Sequence, residues 1–509
     1  MNNKVIFGPP GTGKTTYLLN VVNDKIKEGI KPDRIGYFAY TKKAASEAVE
    51  RACIKFNLER KDFQYFRTLH SLAFQMLGLS TNDVMRTKNY AELSKMLGLK
   101  LSNAQDNIDN NGAFVQDDIY LRIIDLARVG KVELYDAYRE WGHIQGGWLK
   151  LDQINRTIED YKEKRKLLDY TDMIVEFNKQ DMCPGLEVVI VDEAQDLSPL
   201  QWDMVTKLVS NAGQAFVAGD DDQAIFNWAG ASVNHLMNLP WERVILNESY
   251  RVPRKIHEAA NKLIVRVPDR VDKKWKSRSE EGEIHIHNSF SHINLQKEGQ
   301  WLIQARTKYL LDIIEDFLRQ EGLFYEKFNK PSVSEKMAHA INSWKKISRG
   351  ESIIGNSVKV MYDYIGTNTQ DLLGIQRGFK KLSNINEKET YTYDDLNSDF
   401  GLLVHKSSKW HEALTKIINS QKLYIMAAER RKQSINAKPR IKLSTIHGAK
   451  GGESDHVVLL TDLSYKAEEA YHKNPDDERR VFYVGMTRAK KSLHIVRSQS
   501  EREFKEIFV

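Results

Sequence analysis

The stretch that most narrows what this chain can become is Val5-Ile6-Phe7 running into Gly8-Pro9-Pro10-Gly11-Thr12-Gly13-Lys14-Thr15-Thr16. Three apolar residues suit a short buried strand, and the glycines after it let backbone N–H groups turn toward one point at the start of a helix. The helix dipole favours an anion there. The Gly-x4-Gly-Lys-Thr spacing is that of a phosphate-binding loop, in which Lys14 reaches the outer phosphates and Thr15 holds Mg²⁺. Such a loop joins a parallel strand to its crossover helix, so the chain is committed to an α/β fold. The motif alone leaves open which nucleotide reaction follows.

A second element narrows it. Val188-Val189-Ile190-Val191 delivers Asp192-Glu193-Ala194-Gln195-Asp196 at the end of a fully apolar strand. This suits Asp192 as a metal partner and Glu193 as the base that orients attacking water. Short Val- and Ile-rich runs alternate with helical periodicity in two sets, as parallel sheets covered on both faces require. One set comprises 5–7, 35–40, 188–191, 215–217 and 244–246, the other 284–287, 301–305, 441–446, 457–460 and 493–496. At 509 residues the chain has room for both cores. Each is interrupted by a polar, helical stretch, the first with Ile119, Ile123, Ile124 and Ala127 on one helical face. The alternating charges of 266–281 read as a linker between the cores.

Composition adds bounds. A net charge of +7 agrees with a nucleic-acid partner and equally with an ordinary basic surface. Cys53 and Cys183, the only cysteines, lack zinc-ligand spacing, which excludes a disulfide framework or a zinc knuckle and suits a reducing cytoplasm. No run reaches the ~20 apolar residues of a membrane span, and no signal peptide is evident, so a cytoplasmic protein with no membrane partner is expected. His285 and His287 alternate on one strand, and with no third ligand in reach of the sequence they read as plain strand residues.

Further motifs follow in a fixed order: Tyr40-Thr41-Lys42-Lys43-Ala44-Ala45, Thr68-Leu69-His70-Ser71, 219–228 (Gly-Asp-Asp-Asp-Gln-Ala-Ile-Phe-Asn-Trp), Ser249-Tyr250-Arg251, 445–451 (Thr-Ile-His-Gly-Ala-Lys-Gly) and 478–490, which ends in Thr487-Arg488-Ala489-Lys490. On these residues the chain resembles the UvrD, Rep and PcrA family of superfamily-one DNA helicases. The resemblance implies two RecA-like parallel-sheet motor domains in one chain, each with a mostly helical inserted accessory domain. It places the first motor domain at 1–79 and 166–265 with its insert at 80–165, and the second at 266–330 and 436–509 with a reduced insert at 331–435.

The resemblance also implies roles. Lys14, Asp192, Glu193, Gln223, Arg251 and Arg488 would be catalytic, with Thr15 and Asp192 on Mg²⁺. Gly8, Pro9, Pro10, Gly11, Thr12, Gly13, Lys14, Thr15, Thr16, Tyr250, Arg251, Glu453 and Arg488 would hold ATP. Tyr40, Thr41, His70, Phe226, Trp228 and His447 would face single-stranded DNA or its junction with a duplex, the aromatics stacking on bases irrespective of sequence. Movement would run 3′ to 5′, and protein partners in a DNA-processing complex, for repair, replication or defence, are expected.

Some positions depart from the family pattern. Asn227 and Ala229 stand where arginines often flank the tryptophan, and Gly452 and Ser454 replace bulky residues around the retained Glu453. The family's adenine-reading glutamine upstream of the phosphate loop has no counterpart before Lys4, so GTP is expected to serve within about tenfold of ATP unless Asn2 or Asn3 supplies the amide. A DNA-binding subunit merely switched by ATP remains the alternative. A small-molecule kinase leaves Arg488 unexplained, and a fused nuclease lacks a carboxylate-plus-lysine cluster.

Overall fold

An unbroken run of Val and Ile can be a strand only where both faces are covered, and the computed structural model of the chain is built around such strands. It describes residues 3–102, 118–141, 144–369, 373–379, 382 and 385–508. The chain divides into two compact units, Met1–Asn294 with Gln304–Thr307 and Thr445–Val509, and Leu295–Ile303 with Lys308–Ser444.

In the first unit, β1 (Lys4–Phe7), β2 (Ile35–Ala39), β3 (Phe66–Arg67), β4 (Val188–Asp192), β5 (Gln214–Gly219) and β6 (Glu242–Ile245) form one sheet in the order β3-β2-β4-β5-β1-β6. Every pairing in it is parallel. Strand alternation sorts its side chains: Val5, Phe7, Val189, Val191 and Val217 join one core, while Ile6, Tyr37, Val188, Ile190 and Phe216 join another on the opposite face. Helices Leu69–Met76, Tyr170–Lys179 and Pro199–Ser210 cover the first face, and Lys14–Lys27 and Lys42–Phe56 the second. Each fully buried Val or Ile side chain contributes roughly 1.5–3 kcal/mol by leaving water. Parallel pairing brings the C-terminal ends of the strands to one edge, where Gly8, Tyr40, Thr68, Asp192 and Asp220 all leave the sheet. That edge is where ligands of open parallel sheets bind.

The same unit carries three further parallel strands, Glu283–His287, Ser454–Leu460 and Ala489–Val496, with Val457 opposite Leu493 and Leu493 opposite Ile284. Helix Pro475–Met486 begins with proline at its first turn and three acids, Asp476, Asp477 and Glu478, which suit its N-terminus. Helices Thr87–Leu97, Asp118–Gly130, Leu134–Trp141 and Gly147–Arg165 enclose a separate core containing Leu93, Ile123, Ile124, Leu151 and Ile158. Met85 N donates to Leu168 O and Leu168 N to Asp83 O, so the incoming and outgoing chains of this helical cluster are tied together.

The segment 266–281 corrects the reading of a linker. Val267, Val271, Lys273 and Trp275 are all buried, so this charged-looking stretch is packed into the unit. Of its charges Lys273 turns inward and Arg270 partly so, both to an acidic partner described below, while Asp272, Lys274 and Lys276 face solvent.

The second unit pairs Tyr325–Lys327 with Ile441–Thr445 in parallel and with Lys330–Pro331 antiparallel. Helices Leu310–Gln320, Glu335–Ser348, Gly355–Tyr362 and Asn419–Arg430 bury Leu311, Trp344, Met361 and Tyr424. Among the described residues no helix is long and apolar enough to cross a membrane.

Candidate functional site

At the open edge of the six-stranded sheet, the Gly8–Thr15 loop turns through Gly11 (φ +73°) and Gly13 (φ +80°), a region L side chains rarely adopt. A Cβ on Gly11 would lie 2.3 Å from the Arg251 Cβ, so glycine is also needed for close approach. Ser249 Oγ donates to Pro10 O (2.7 Å) and Tyr250 N to Gly11 O (2.9 Å), which seats the Ser249-Tyr250-Arg251 segment on the loop. Lys14 Nζ donates to Gly8 O (2.9 Å) and lies 3.9 Å from Glu193 Oε1. Thr12 caps its own loop through Pro9 O (2.8 Å), whereas Thr16 is exposed on the following helix. The Tyr250 ring is 72% exposed beside Gly13.

Two carboxylates face this loop. Asp192 Oδ2 accepts from Thr15 Oγ1 (3.0 Å) and from Tyr37 OH (2.8 Å), and burial beside Glu193 pushes its carboxyl up. Glu193 adopts a left-handed backbone (φ 54°), a strained conformation for a non-glycine residue that re-aims its side chain. Burial acts to raise its carboxyl, but Lys14, Lys450 and a hydrogen bond from Gln195 outweigh it and hold the group down at about 2. Glu193 is therefore an anion at neutral pH. This donor set fits a nucleotide with its divalent ion: a lysine, a backbone cradle, and a hydroxyl that donates to a buried carboxylate.

From Glu193 a continuous hydrogen-bonded chain runs through buried residues. Gln195 Nε2 donates to Glu193 Oε2 (2.6 Å), Asp220 N to Gln195 Oε1 (3.0 Å), Gln223 Nε2 to Asp220 Oδ2 (2.6 Å) and Arg488 Nη2 to Gln223 Oε1 (2.7 Å). Arg488 is only 2% exposed, and burial together with the charge of Arg251 pushes its guanidinium down to about 9. Two arginines that disfavour each other at an open phosphate loop are relieved by an anion between them. Arg251 meanwhile pairs with Glu453 (2.6 Å).

The aromatic residues lie beyond Gln223. Phe226 packs against Tyr40 (ring centroids 5.7 Å), Trp228 (6.3 Å) and His447 (5.9 Å), and Trp228 meets His447 edge-on at 6.0 Å. Burial, with Arg306 and Lys450 nearby, keeps His447 neutral. His70 lines a small cavity together with Tyr40 and lies edge-on to Tyr170 at 6.0 Å, and burial with Lys42 pushes its imidazole down to about 4. The Thr41 hydroxyl accepts from Ala44 N (3.1 Å) as the cap of helix Lys42–Phe56. Asn3 Oδ1 accepts from Ala215 N (2.9 Å), so its amide is engaged by the sheet; Met1 and Asn2 lie outside the described residues.

Residues 1–242 match the UvrD/REP helicase N-terminal domain and residues 313–500 the UvrD-like helicase C-terminal domain. The chain belongs to the UvrD/Rep/PcrA family of superfamily-one helicases. It is 23% identical to the ATP-dependent DNA helicase Rep of Escherichia coli, over 99% of this chain and 90% of that protein. With the ATP-dependent DNA helicase PcrA of Bacillus subtilis it shares 21% over 98% of this chain and 81% of the relative. With DNA helicase II of Haemophilus influenzae it shares 24% over 63% of this chain, but that match spans only 45% of the relative. The protein is thus an enzyme of the ATP-dependent DNA helicase family.

For a UvrD-type helicase the site holds residues that motif reading named without giving them work. Lys450 Nζ donates to both oxygens of Asp196 (2.7 and 2.6 Å) and to Gln223 O (2.6 Å), with its charge 5.1 Å from the Phe226 ring. Burial pushes the Asp196 carboxyl up to about 6 even though Lys450 pulls it down. Lys273 is fully enclosed against Asp220 (3.0 Å), Asp221 and Asp222 (2.9 Å), and Arg270 forks onto Asp222 (2.8 and 2.7 Å). These two cations come from the supposed linker. The only sequence signal was three successive aspartates in an otherwise buried loop, which require a cation from elsewhere.

The position of Asn227, where the family often has arginine, is turned to another use: its amide donates to Asp477 Oδ1 (2.8 Å). Glu453 is engaged by Arg251 as above and lies 3.5 Å from Lys490. His285 and His287 do gain a third imidazole, His494 of the neighbouring strand, which hydrogen-bonds His287 at 3.0 Å. Among the described residues no group of His, Cys, Asp and Glu has metal-holding geometry.

Proposed function

We propose that this chain is a DNA-stimulated ATP hydrolase that translocates 3′ to 5′ along single-stranded DNA and separates duplexes at single/double-strand junctions in the cytoplasm. The observation that carries this reading is the unbroken hydrogen-bonded path from Glu193 through Gln195, Asp220 and Gln223, with Lys450 joining its far end to the ring of Phe226. A carboxylate poised for hydrolysis and an aromatic surface suited to bases are thereby parts of one network. The RecA-like organisation, with motor domains at 1–79 and 166–265 and at 266–330 and 436–509, belongs to the same proposal, as do the inserts at 80–165 and 331–435.

Each residue then has a task. Lys14, which donates to Gly8 O in this structure, would turn to the outer phosphates. Gly8, Pro9, Pro10, Gly11, Thr12 and Gly13 shape the loop, and Thr15 and Asp192 would hold Mg²⁺. Thr16 follows them on the helix, where it borders the phosphates. Bound ATP with Mg²⁺ supplies the free energy of phosphoanhydride cleavage. Glu193, ionised at neutral pH, accepts a hydrogen bond from the attacking water and orients it. Arg251 and Arg488 place positive charge where negative charge grows, which is the main protein contribution to phosphoryl transfer. Tyr250 stacks on the base and Glu453 steadies Arg251.

Tyr40, Phe226 and Trp228 stack on bases at roughly 1–3 kcal/mol each without reading sequence, with His447 beside them. Thr41 and His70 border that surface. Unwinding of duplexes bearing a 3′ or a 5′ single-stranded tail, with ATP and Mg²⁺, tests the proposal. Unwinding from the 3′ tail is expected; a 5′ preference, or hydrolysis without unwinding of either, refutes it, the latter in favour of an ATP-switched binding subunit.

A further inference from the structure

One face of the Trp228 ring carries a cation that the sequence around it does not supply. Asn227 and Ala229 are uncharged, yet the guanidinium of Arg122, 106 residues upstream, sits 5.0 Å from the Trp228 ring centroid. The other indole on the same guanidinium is Trp141, at 4.4 Å. Arg122 Nη2 also donates to Trp228 O (3.3 Å), so the contact fixes both ring and backbone.

Arg122 does not act by itself. It lies on helix Asp118–Gly130, and the positions one and two turns further along, Leu126 and Val129, meet the same loop. A Cβ on Gly230 would lie 2.6 Å from Val129 Cγ2 and 3.4 Å from Leu126 Cδ2. Arg122, Leu126 and Val129 at i, i+4 and i+7 thus form one stripe docked along 228–230. Trp141 belongs to the next helix, Leu134–Trp141, so two helices of the first insert converge on one tryptophan.

We propose that Arg122, backed by Trp141, is a positioning residue for Trp228, and that the first insert thereby sets the angle of the base-stacking surface. The inference rests on the strand-binding reading of Trp228 above. A planar guanidinium within cation–π reach of two indoles, and bonded to the backbone of one, limits where that ring can go, a restraint that a flexible ammonium supplies poorly. Without it the indole samples rotamers, and each arriving base meets a ring that must first be ordered.

The test measures ATP turnover of the full-length protein against oligo(dT) concentration. Trp228→Ala, Arg122→Ala, Arg122→Lys, Trp141→Ala and the Arg122→Ala/Trp141→Ala pair are compared with the unaltered chain. Arg122→Ala is expected to raise the half-saturating DNA concentration about tenfold, with a smaller effect on the rate at saturation. Arg122→Lys should recover only part of this. The double variant should be no worse than Arg122→Ala, because both side chains act through one stack.

A role confined to folding would lower the saturated rate and leave half-saturation where it was, and that result overturns the proposal. Tighter DNA binding by Arg122→Ala overturns it too, since the guanidinium would then be blocking the ring. If Trp228→Ala itself leaves half-saturation unchanged, the strand-binding reading fails and takes the inference with it. If Trp228→Ala shifts it and Arg122→Ala does not, only the inference fails.

Discussion

Replacing Lys273 by methionine removes the one ammonium enclosed by Asp220, Asp221 and Asp222 while keeping most of the side-chain volume. Arg270 remains on Asp222, so two of three buried carboxylates lose their cation. Stripping one partner from a buried ion pair costs about 3–5 kcal/mol. For a unit of this size each kcal/mol lowers the melting temperature by roughly 2–4 °C, so a fall on the order of 10 °C is expected.

The size of that fall should depend on pH in a stated direction. Burial already raises the Asp221 carboxyl against the pull of Lys273, and Asp222 is held down by Arg270 and Lys273 against burial. Without Lys273 the Asp221 carboxyl moves further above its unfolded value while Arg270 still holds Asp222, so the folded variant binds more protons than the unfolded chain in that window. Its stability therefore declines as pH rises, by up to about 1.4 kcal/mol per unit for each such carboxylate, and recovers as pH falls toward 5. Differential scanning calorimetry of both proteins at pH 5, 6, 7 and 8 measures this. A loss below about 1 kcal/mol, or one independent of pH, would show that the buried acids do not rely on Lys273 and refute the reasoning.

Lys14→Ala should lower kcat by at least a hundredfold while leaving oligonucleotide affinity, read by fluorescence anisotropy, within about twofold. Glu193→Gln keeps the shape but not the charge of the group held at about 2, so it should bind ATP and fail to turn it over, as rapid-quench assays would reveal. Arg488→Ala should likewise retain nucleotide binding and lose turnover; equal rates for this variant and the unaltered chain would remove it from the site.

The two-sided strands were legible because burial on both faces leaves only Val, Ile, Leu and Phe in runs such as 188–191, and the loop at Gly8–Thr15 because backbone geometry demands its glycines. Strand Phe66–Arg67 escaped notice, being two residues long and with no period to show. Lys273 was hidden for a different reason: it stands among Asp272, Lys274 and Lys276, and nothing local distinguishes a lysine that points inward to a partner 52 residues away. Arg122 was similarly obscured, since one arginine on an amphipathic helix ordinarily faces water. The strained backbone of Glu193 is invisible in sequence because any residue type can be forced there by its neighbours.

Gly230 bears on how such a helicase can be remodelled. Its φ of +86° and the Val129 methyl 2.6 Å from where a side chain would start are two separate demands for the smallest residue. The helix bearing Val129 is therefore not a part to be exchanged freely. A chimera that replaces it must bring a compatible counterpart of Val129, and one that replaces only the 226–230 loop must keep glycine at its end. Changes at 122, 126, 129 and 230 are expected to be tolerated together rather than singly, so this helix and the loop it rests on should behave as one module.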